Sequence, residues 1–204
     1  MSRRLLLSAL LVLCTVSTCA AAAATEQAQA DQQKMMAEYM KLLALGPNHD
    51  YFKQFVGKWD VTTTAWMTPG AEPAVSRNVS EATLILGGRF LMTKFSGNIF
   101  GQAFEGLQID GYDNLTKKYV TFWIDNSSTG FYFLDGSRDT TTGVLTETAN
   151  WPDPMSGASV GVRGVTTRKS ADEYVYEMYM TPPGGREFKS MENVMTRKKA
   201  EKAK

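Results

Sequence analysis

The sequence has 204 residues, a formal net charge of +1 and 43% hydrophobic residues. A charge so near zero excludes the class of nucleic-acid-binding proteins that rely on basic stripes. The length is typical of one domain that buries its own core. We therefore expect one globular domain, a monomer or weak dimer, with no nucleic-acid partner.

Residues 1–24 are predicted to be a signal peptide. They begin with Arg3 and Arg4, continue with an apolar run and end with small residues. The run is shorter than the about 20 apolar residues that span a bilayer, so we expect no stable membrane insertion after signal removal. The predicted location is periplasmic or secreted. Cys14 and Cys19 both lie in this segment, so the mature chain has no thiol for a disulfide.

Two alternatives for this leader stay open. The stretch SRRLLL fits a loose twin-arginine pattern, which would mean export in the folded state. The stretch VSTC, which ends at Cys19, resembles a lipoprotein cleavage box. In that case a lipid anchor would tether the same domain to a membrane.

Residues 25–47 are predicted to form an N-terminal helical arm. Apolar residues recur at helical spacing between Met35 and Leu43, and Gly46-Pro47 is typical of a helix end. A short second helix is predicted in NHDYFKQFVG, with Asn48 or Asp50 as its cap.

Residues 48–199 are predicted to form an all-β domain, and residues 200–204 a basic tail. Runs rich in Thr, Val, Ile and aromatic residues alternate with turn signals such as Gly87-Gly88 and Asp113-Asn114. These signals delimit about ten strands, which must be antiparallel because no helical crossover separates them. Closure removes the two open edges of such a sheet, so we predict an up-and-down β-barrel.

The triplet Gly57-Lys58-Trp59 stands at the start of the first predicted strand. Closing the barrel brings that strand beside the last one, where Trp59 and Arg197 could meet. A guanidinium stacked on an indole is worth about 0.5 to 2 kcal/mol and keeps its N–H donors free for carbonyl groups. We therefore assign barrel closure to Gly57, Trp59 and Arg197.

Gly-x-Trp after a short helix, with a basic residue in the final strand, resembles the signature of the calycin superfamily, which includes lipocalins and fatty-acid-binding proteins. The ordered set LGPNHDYFKQFVGKWDVTTTAW, ILGGRFL, FEGLQIDGYDNLTKKYVTFWID and ME before TRKK resembles a bacterial family known as domain of unknown function 1579. The resemblance runs from about Leu45 to Lys199. It implies a calycin-like barrel and export, and it supplies no catalytic residue.

No metal site, cofactor or catalytic residue is predicted. His49 is the single histidine and lies beside a helix cap, which excludes a histidine-based zinc site. Glu147, Glu177 and Glu192 share strand faces with apolar residues, and Arg163 lies on a similar strand. They either face the lumen, where buried charges must be paired or neutralised, or belong to a mixed outer surface.

Three functions stay open: a carrier of a small apolar or amphipathic ligand, a cell-envelope module with a filled barrel, and an enzyme that uses lumen carboxylates. We favour the carrier, because barrels of this size enclose a ligand-sized cavity. Arg163 would favour a ligand with an acidic head group. The predicted ligand-binding residues are Trp123, Phe131, Phe133, Arg163, Tyr176 and Glu192.

Overall fold

The computed structural model describes residues 25–99, 101–153 and 157–199. The predicted signal peptide, 1–24, and the predicted basic tail, 200–204, lie outside the described residues. The chain divides into two compact units, Met1–Ala44 and Leu45–Lys204.

The first unit contains helix α1, to which residues 25–43 belong. Its apolar side chains at Met35, Met36, Tyr39 and Met40 are each more than half exposed. Among the described residues, no helix combines the length and the apolar character that crossing a membrane requires.

The second unit is a closed antiparallel barrel, preceded by helix α2 (Pro47–Asp50) and a 3-10 helix (Tyr51–Phe55). Each strand pairs with its neighbours in sequence, and β1 pairs with β10. The strands are β1 (Gly57–Ala65), β2 (Ala74–Ile85), β3 (Phe90–Ile99), β4 (Gln102–Asp113), β5 (Lys118–Asp125), β6 (Tyr132–Arg138), β7 (Leu145–Pro152), β8 (Ser159–Arg168), β9 (Glu173–Thr181) and β10 (Phe188–Arg197). The predicted ten-stranded up-and-down barrel is confirmed over the described part of the chain.

Alternation of side chains along each strand produces the two faces of this barrel. In β1, Trp59, Val61 and Thr63 are buried, whereas Asp60 and Thr62 are exposed. Successive side chains of a strand point to opposite faces, so every second residue enters the lumen.

An aromatic core fills one end of the barrel. Phe52 and Phe55 of the 3-10 helix are buried there, and the Phe55 ring lies 4.9 Å from the Tyr174 ring. The centroid of the Trp59 ring lies 4.8 Å from that of the same tyrosine, in an edge-to-face arrangement. His49 is buried nearby, and its Nδ1 accepts a hydrogen bond from the Gly46 N–H at 3.1 Å. The two short helices therefore plug this end.

Closure of the barrel brings Trp59 and Arg197 together as direct cross-strand partners. The Arg197 Cζ lies 4.1 Å from the centroid of the indole. Its Nη1 donates to the Val56 carbonyl at 2.8 Å, and its Nη2 to the Gln54 carbonyl at 3.0 Å. The indole Nε1 donates to the Phe55 carbonyl at 2.8 Å. One cation therefore ties the last strand to the first strand and to the 3-10 helix before it.

Gly57 satisfies two requirements of this closure. Its φ is +132°, which side-chain-bearing residues rarely adopt. A Cβ at this position would lie 2.7 Å from the Arg197 Nη1. A glycine here lets the chain turn into β1 and lets the guanidinium approach the backbone.

Replacing Trp59 with alanine should lower the free energy of unfolding by about 3 to 5 kcal/mol, the usual cost of removing a buried large aromatic side chain. Arg197→Ala should cost less, about 1 to 2 kcal/mol, because it removes one cation–aromatic contact and its hydrogen bonds. Urea denaturation measures both. Thr62→Ala, an exposed neighbour on β1, is the control and should change stability by less than about 0.5 kcal/mol. A Trp59→Ala effect no larger than that of the control would contradict the closure.

Candidate functional site

A cavity of about 320 Å³ lies in the barrel, between the aromatic core and the opposite end. All ten strands contribute to its walls, and its volume falls in the range of ligand pockets, roughly 300 to 1,000 Å³. Most of the lining is apolar or aromatic, and the polar part consists of Thr63, Asn78, Thr93, Gln108, Asp110, Thr121, Asp125, Ser127, Glu147, Thr166 and Asn193.

An aromatic group lines the end of the cavity that is farther from the plug. The Trp123 ring lies 5.3 Å from the Phe95 ring and 6.2 Å from the Phe104 ring. Its Nε1 donates to Asp125 Oδ2 at 2.7 Å. Burial raises the pKa of Asp125, but hydrogen bonds from Ser127 and Trp123 outweigh it and the net shift is downward. The carboxylate therefore holds the indole in a defined position.

Two carboxyl groups, Asp110 on β4 and Glu147 on β7, form a lumen acid pair. They are 8% and 5% exposed. Thr121 on β5 lies between them, with its Oγ1 2.8 Å from Asp110 Oδ1 and 3.0 Å from Glu147 Oε1. The Gln108 amide donates to Asp110 Oδ1 at 2.8 Å. Within the described ranges, no group of three or more His, Cys, Asp or Glu side chains is placed to hold a metal ion.

Burial raises the pKa values of both carboxyls above those of solvent-exposed carboxyl groups. The pKa of Glu147 is raised to about 8, chiefly because the carboxyl has lost solvent and secondly because Asp110 repels its negative charge. Loss of solvent also raises the pKa of Asp110 to about 6, against the opposing hydrogen bonds of Gln108 and Thr121. At neutral pH, Glu147 is therefore protonated and can donate to Thr121, which donates its single proton to the ionised Asp110.

Glycines flank Glu147 on both neighbouring strands. Gly136 of β6 and Gly164 of β8 are its direct cross-strand partners. A Cβ at Gly164 would lie 2.8 Å from the hydroxyl of Tyr176, and one at Gly136 would lie 1.9 Å from the Thr146 carbonyl oxygen. Gly164 therefore leaves room for Tyr176, and Gly136 lets the β7 backbone at Thr146 and Glu147 approach closely.

Two of the six predicted ligand-binding residues line the cavity. Trp123 lies in the aromatic group, and Tyr176 lines the wall beside Gly164. Burial raises the pKa of Tyr176 well above its usual value, so its hydroxyl stays protonated.

The predicted lumen positions of Phe131 and Phe133 are wrong. These side chains are 77% and 57% exposed, whereas Tyr132 and Leu134 line the cavity. The aromatic content of this segment suggested an inner face. Its phenylalanines instead form part of an apolar outer surface, where the Phe131 ring lies 5.5 Å from Phe122.

The predicted lumen position of Arg163 is also wrong. Its Nη2 lies 2.6 Å from Glu187 Oε2, and its Cζ lies 4.0 Å from the centroid of the Tyr179 ring. Its strand neighbours Val162 and Gly164 are buried. The guanidinium therefore lies on the outer face, where solvent and a partner carboxylate stabilise its charge.

Glu192 likewise lies outside the cavity. Its Oε2 is 2.8 Å from the Nζ of Lys189, which also pairs with Glu177. On the same strand, Met191 and Asn193 point inward. Of the three carboxylates that the sequence left ambiguous, Glu147 alone lines the lumen.

Sequence reasoning missed Asp110 and Thr121. On β4, Gln108 and Asp110 line the cavity, whereas the apolar residues Leu107 and Ile109, which alternate with them, do not. Asp110 lies six residues after Phe104 on the same strand, so the two side chains point to the same face. Phe104 also lines the cavity, and its aromatic side chain is the sequence feature that could have indicated the inner face.

A family model described as "Protein of unknown function (DUF1579)" matches residues 44–197, more than half of the chain. The chain belongs to this family. Among solved structures, the DUF1579 chain is similar to a redesigned β-barrel, at 15% sequence identity and a TM-score of 0.39. That similarity covers 73% of this chain and 96% of the other. No curated protein matches the sequence.

The acid pair of this DUF1579 barrel should make its stability fall as pH rises. The folded-state pKa of Glu147 exceeds the ordinary value of 4.5, so the folded state binds more protons than the unfolded state between about pH 4.5 and 8. Glu147→Gln removes this contribution and keeps a donor for Thr121. The loss of unfolding free energy between about pH 5 and 8 should shrink by about 1 to 4 kcal/mol, since one pKa unit corresponds to about 1.4 kcal/mol.

Thermal and urea denaturation over that pH range measure the effect. Glu192→Gln, which makes the same substitution on the outer face, is the matched control and should leave the pH profile between about pH 5 and 8 unchanged. Parallel profiles for the parent protein and Glu147→Gln would contradict the buried, protonated state of Glu147.

Proposed function

We propose that the protein binds a small, largely apolar molecule in the barrel lumen. The observation that carries this proposal is the cavity of about 320 Å³, which is lined mainly by apolar and aromatic side chains. An apolar ligand that enters such a cavity gains about 25 cal/mol per Å² of buried apolar surface. The polar groups in the wall would orient it.

We also propose that the barrel is calycin-like and that the protein is exported to the periplasm or the medium. The stacking of Arg197 on Trp59 across the first and last strands supports the calycin-like assignment. The basic, apolar and small-residue order of residues 1–24 supports export.

The alternatives have unequal support. A cell-envelope module with a filled barrel is less well supported, because the lumen contains a ligand-sized cavity. One observation favours an enzyme: Asp110 and Glu147 have pKa values near 6 and 8, and separated pKa values are typical of acid–base pairs. We favour binding because the aromatic walls provide an apolar site whether or not the pair carries out chemistry.

The purified protein should bind the neutral dye N-phenyl-1-naphthylamine, with increased fluorescence and a dissociation constant of about micromolar order. Thr63 lines the cavity, so Thr63→Phe should fill part of the lumen and weaken dye binding by roughly tenfold or more. Fluorescence titration measures both affinities.

Thr62→Phe is the matched control, because Thr62 is the next residue of β1 and faces solvent. Its dye affinity should equal that of the parent protein. Melting curves establish that each variant is folded. Equal weakening by both variants, or no dye binding by the folded parent protein, would contradict lumen binding.

A further inference from the structure

The electrostatic character of the lumen is set by the acid pair, by Asp125, whose carboxylate is held by Trp123 and Ser127, and by the absence of a facing cation. Asp110 and Glu147 both line the cavity, whereas no lysine, arginine or histidine among the described residues does so. Arg163, the cation that the sequence offered for this role, pairs with Glu187 on the outer face.

Ionisation of both carboxyls leaves the acid pair with too few hydrogen-bond donors. Once Glu147 also loses its proton, the single hydroxyl proton of Thr121 cannot serve both carboxyls, although its oxygen contacts Asp110 and Glu147 alike. Two further lining residues have a buried polar atom with no hydrogen-bond partner among the described residues: the acceptor Asn193 Oδ1 and the donor Trp151 Nε1. A buried acceptor without a donor is costly, so the ionised pair and Asn193 favour a ligand that donates protons, whereas Trp151 offers a donor elsewhere in the lining.

The acid pair lies next to the apolar part of the cavity. Tyr119, Thr121 and Trp123 are alternate residues of β5, and positions two residues apart on a strand are separated by about 7 Å. Thr121 contacts both carboxyls of the acid pair, and Trp123 contacts the Phe95 and Phe104 rings at the aromatic end of the cavity. A short apolar chain could therefore extend along the aromatic rings while its head group contacts the carboxyls.

We propose that the ligand of the lumen is an apolar molecule with a primary amine or another cationic, proton-donating head group. This inference rests on the proposed binding function and names its ligand class. An ammonium group provides three N–H donors and the positive charge that the lumen lacks. A carboxylate head group would instead bring a second negative charge next to Asp110.

The charge of the acid pair gives this preference a pH dependence. The titratable groups that act on the pair electrostatically include Tyr51, Tyr174, Tyr176 and Asp135. Burial raises the pKa of each tyrosine well above the usual range, so all three stay neutral. The pKa of Asp110 is about 6 and that of Glu147 about 8, so the pair carries little charge at about pH 5 and more at pH 7.5. An alkylammonium keeps its charge across this range, since amine pKa values lie near 10.

Displacement of N-phenyl-1-naphthylamine by decylamine, decan-1-ol and decanoate tests the ligand class. At pH 7.5, decylamine should displace the dye at a concentration roughly tenfold or more below that of decanoate, with decan-1-ol between them. At pH 5, the preference for decylamine over decan-1-ol should shrink by roughly threefold or more, because the carboxyls are protonated.

The double variant Asp110→Asn with Glu147→Gln keeps the shape of the site and removes its charge. It should lose the preference for decylamine over decan-1-ol, judged from displacement relative to the variant's own measured dye affinity. Glu192→Gln, an outer-face control, should keep the preference. The pH comparison uses the unaltered protein and therefore tests the inference even where the double variant does not fold.

The outcomes separate this inference from the function on which it depends. Dye binding with equal or stronger displacement by decanoate would overturn the amine assignment and leave lumen binding intact. A preference for decylamine that survives in the folded double variant, or that is unchanged at pH 5, would also overturn it. Failure of the dye and of all three decyl compounds to bind would overturn both proposals.

Discussion

The stacking of Arg197 on Trp59 is the contact on which the barrel depends. These residues are cross-strand partners in the seam between the first and last strands. The same guanidinium donates to the carbonyls of Val56 and Gln54. This seam closes the sheet, so the contact links residues 138 positions apart in a chain whose other strand pairs are neighbours in sequence. Gly57 permits the approach.

The closure concentrates close packing at one end of the barrel. The large buried rings of the core lie at that end: Phe52, Phe55, Trp59, Tyr119 and Tyr174. The remaining lumen is not needed for such packing and can contain a cavity. Polar side chains such as Thr63 and Asn78 can therefore lie inside the barrel, where a filled core would exclude them.

The position and the protonation state of each ionisable side chain in this barrel depend on its access to solvent. Arg163, Lys189 and their partner carboxylates lie on the outer face, where water screens them and each charge has an opposite neighbour. Asp110 and Glu147 lie inside, where loss of solvent raises the pKa of each. The inside and outside of the same wall thus differ in charge state as well as polarity, and the inside is acidic.

The sequence by itself determined the barrel, its strand number and its closure residues. Strand and turn signals are local, and a closed antiparallel sheet forces its first strand against its last, so Trp59 and Arg197 could be paired without coordinates. The sequence could not decide which face of the central strands points into the lumen. Both faces of β4, β5 and β6 carry apolar residues, so Phe131 and Phe133 were placed inside and Asp110 was missed. Only the tertiary structure decided this, because the direction of a side chain depends on how the whole sheet curves.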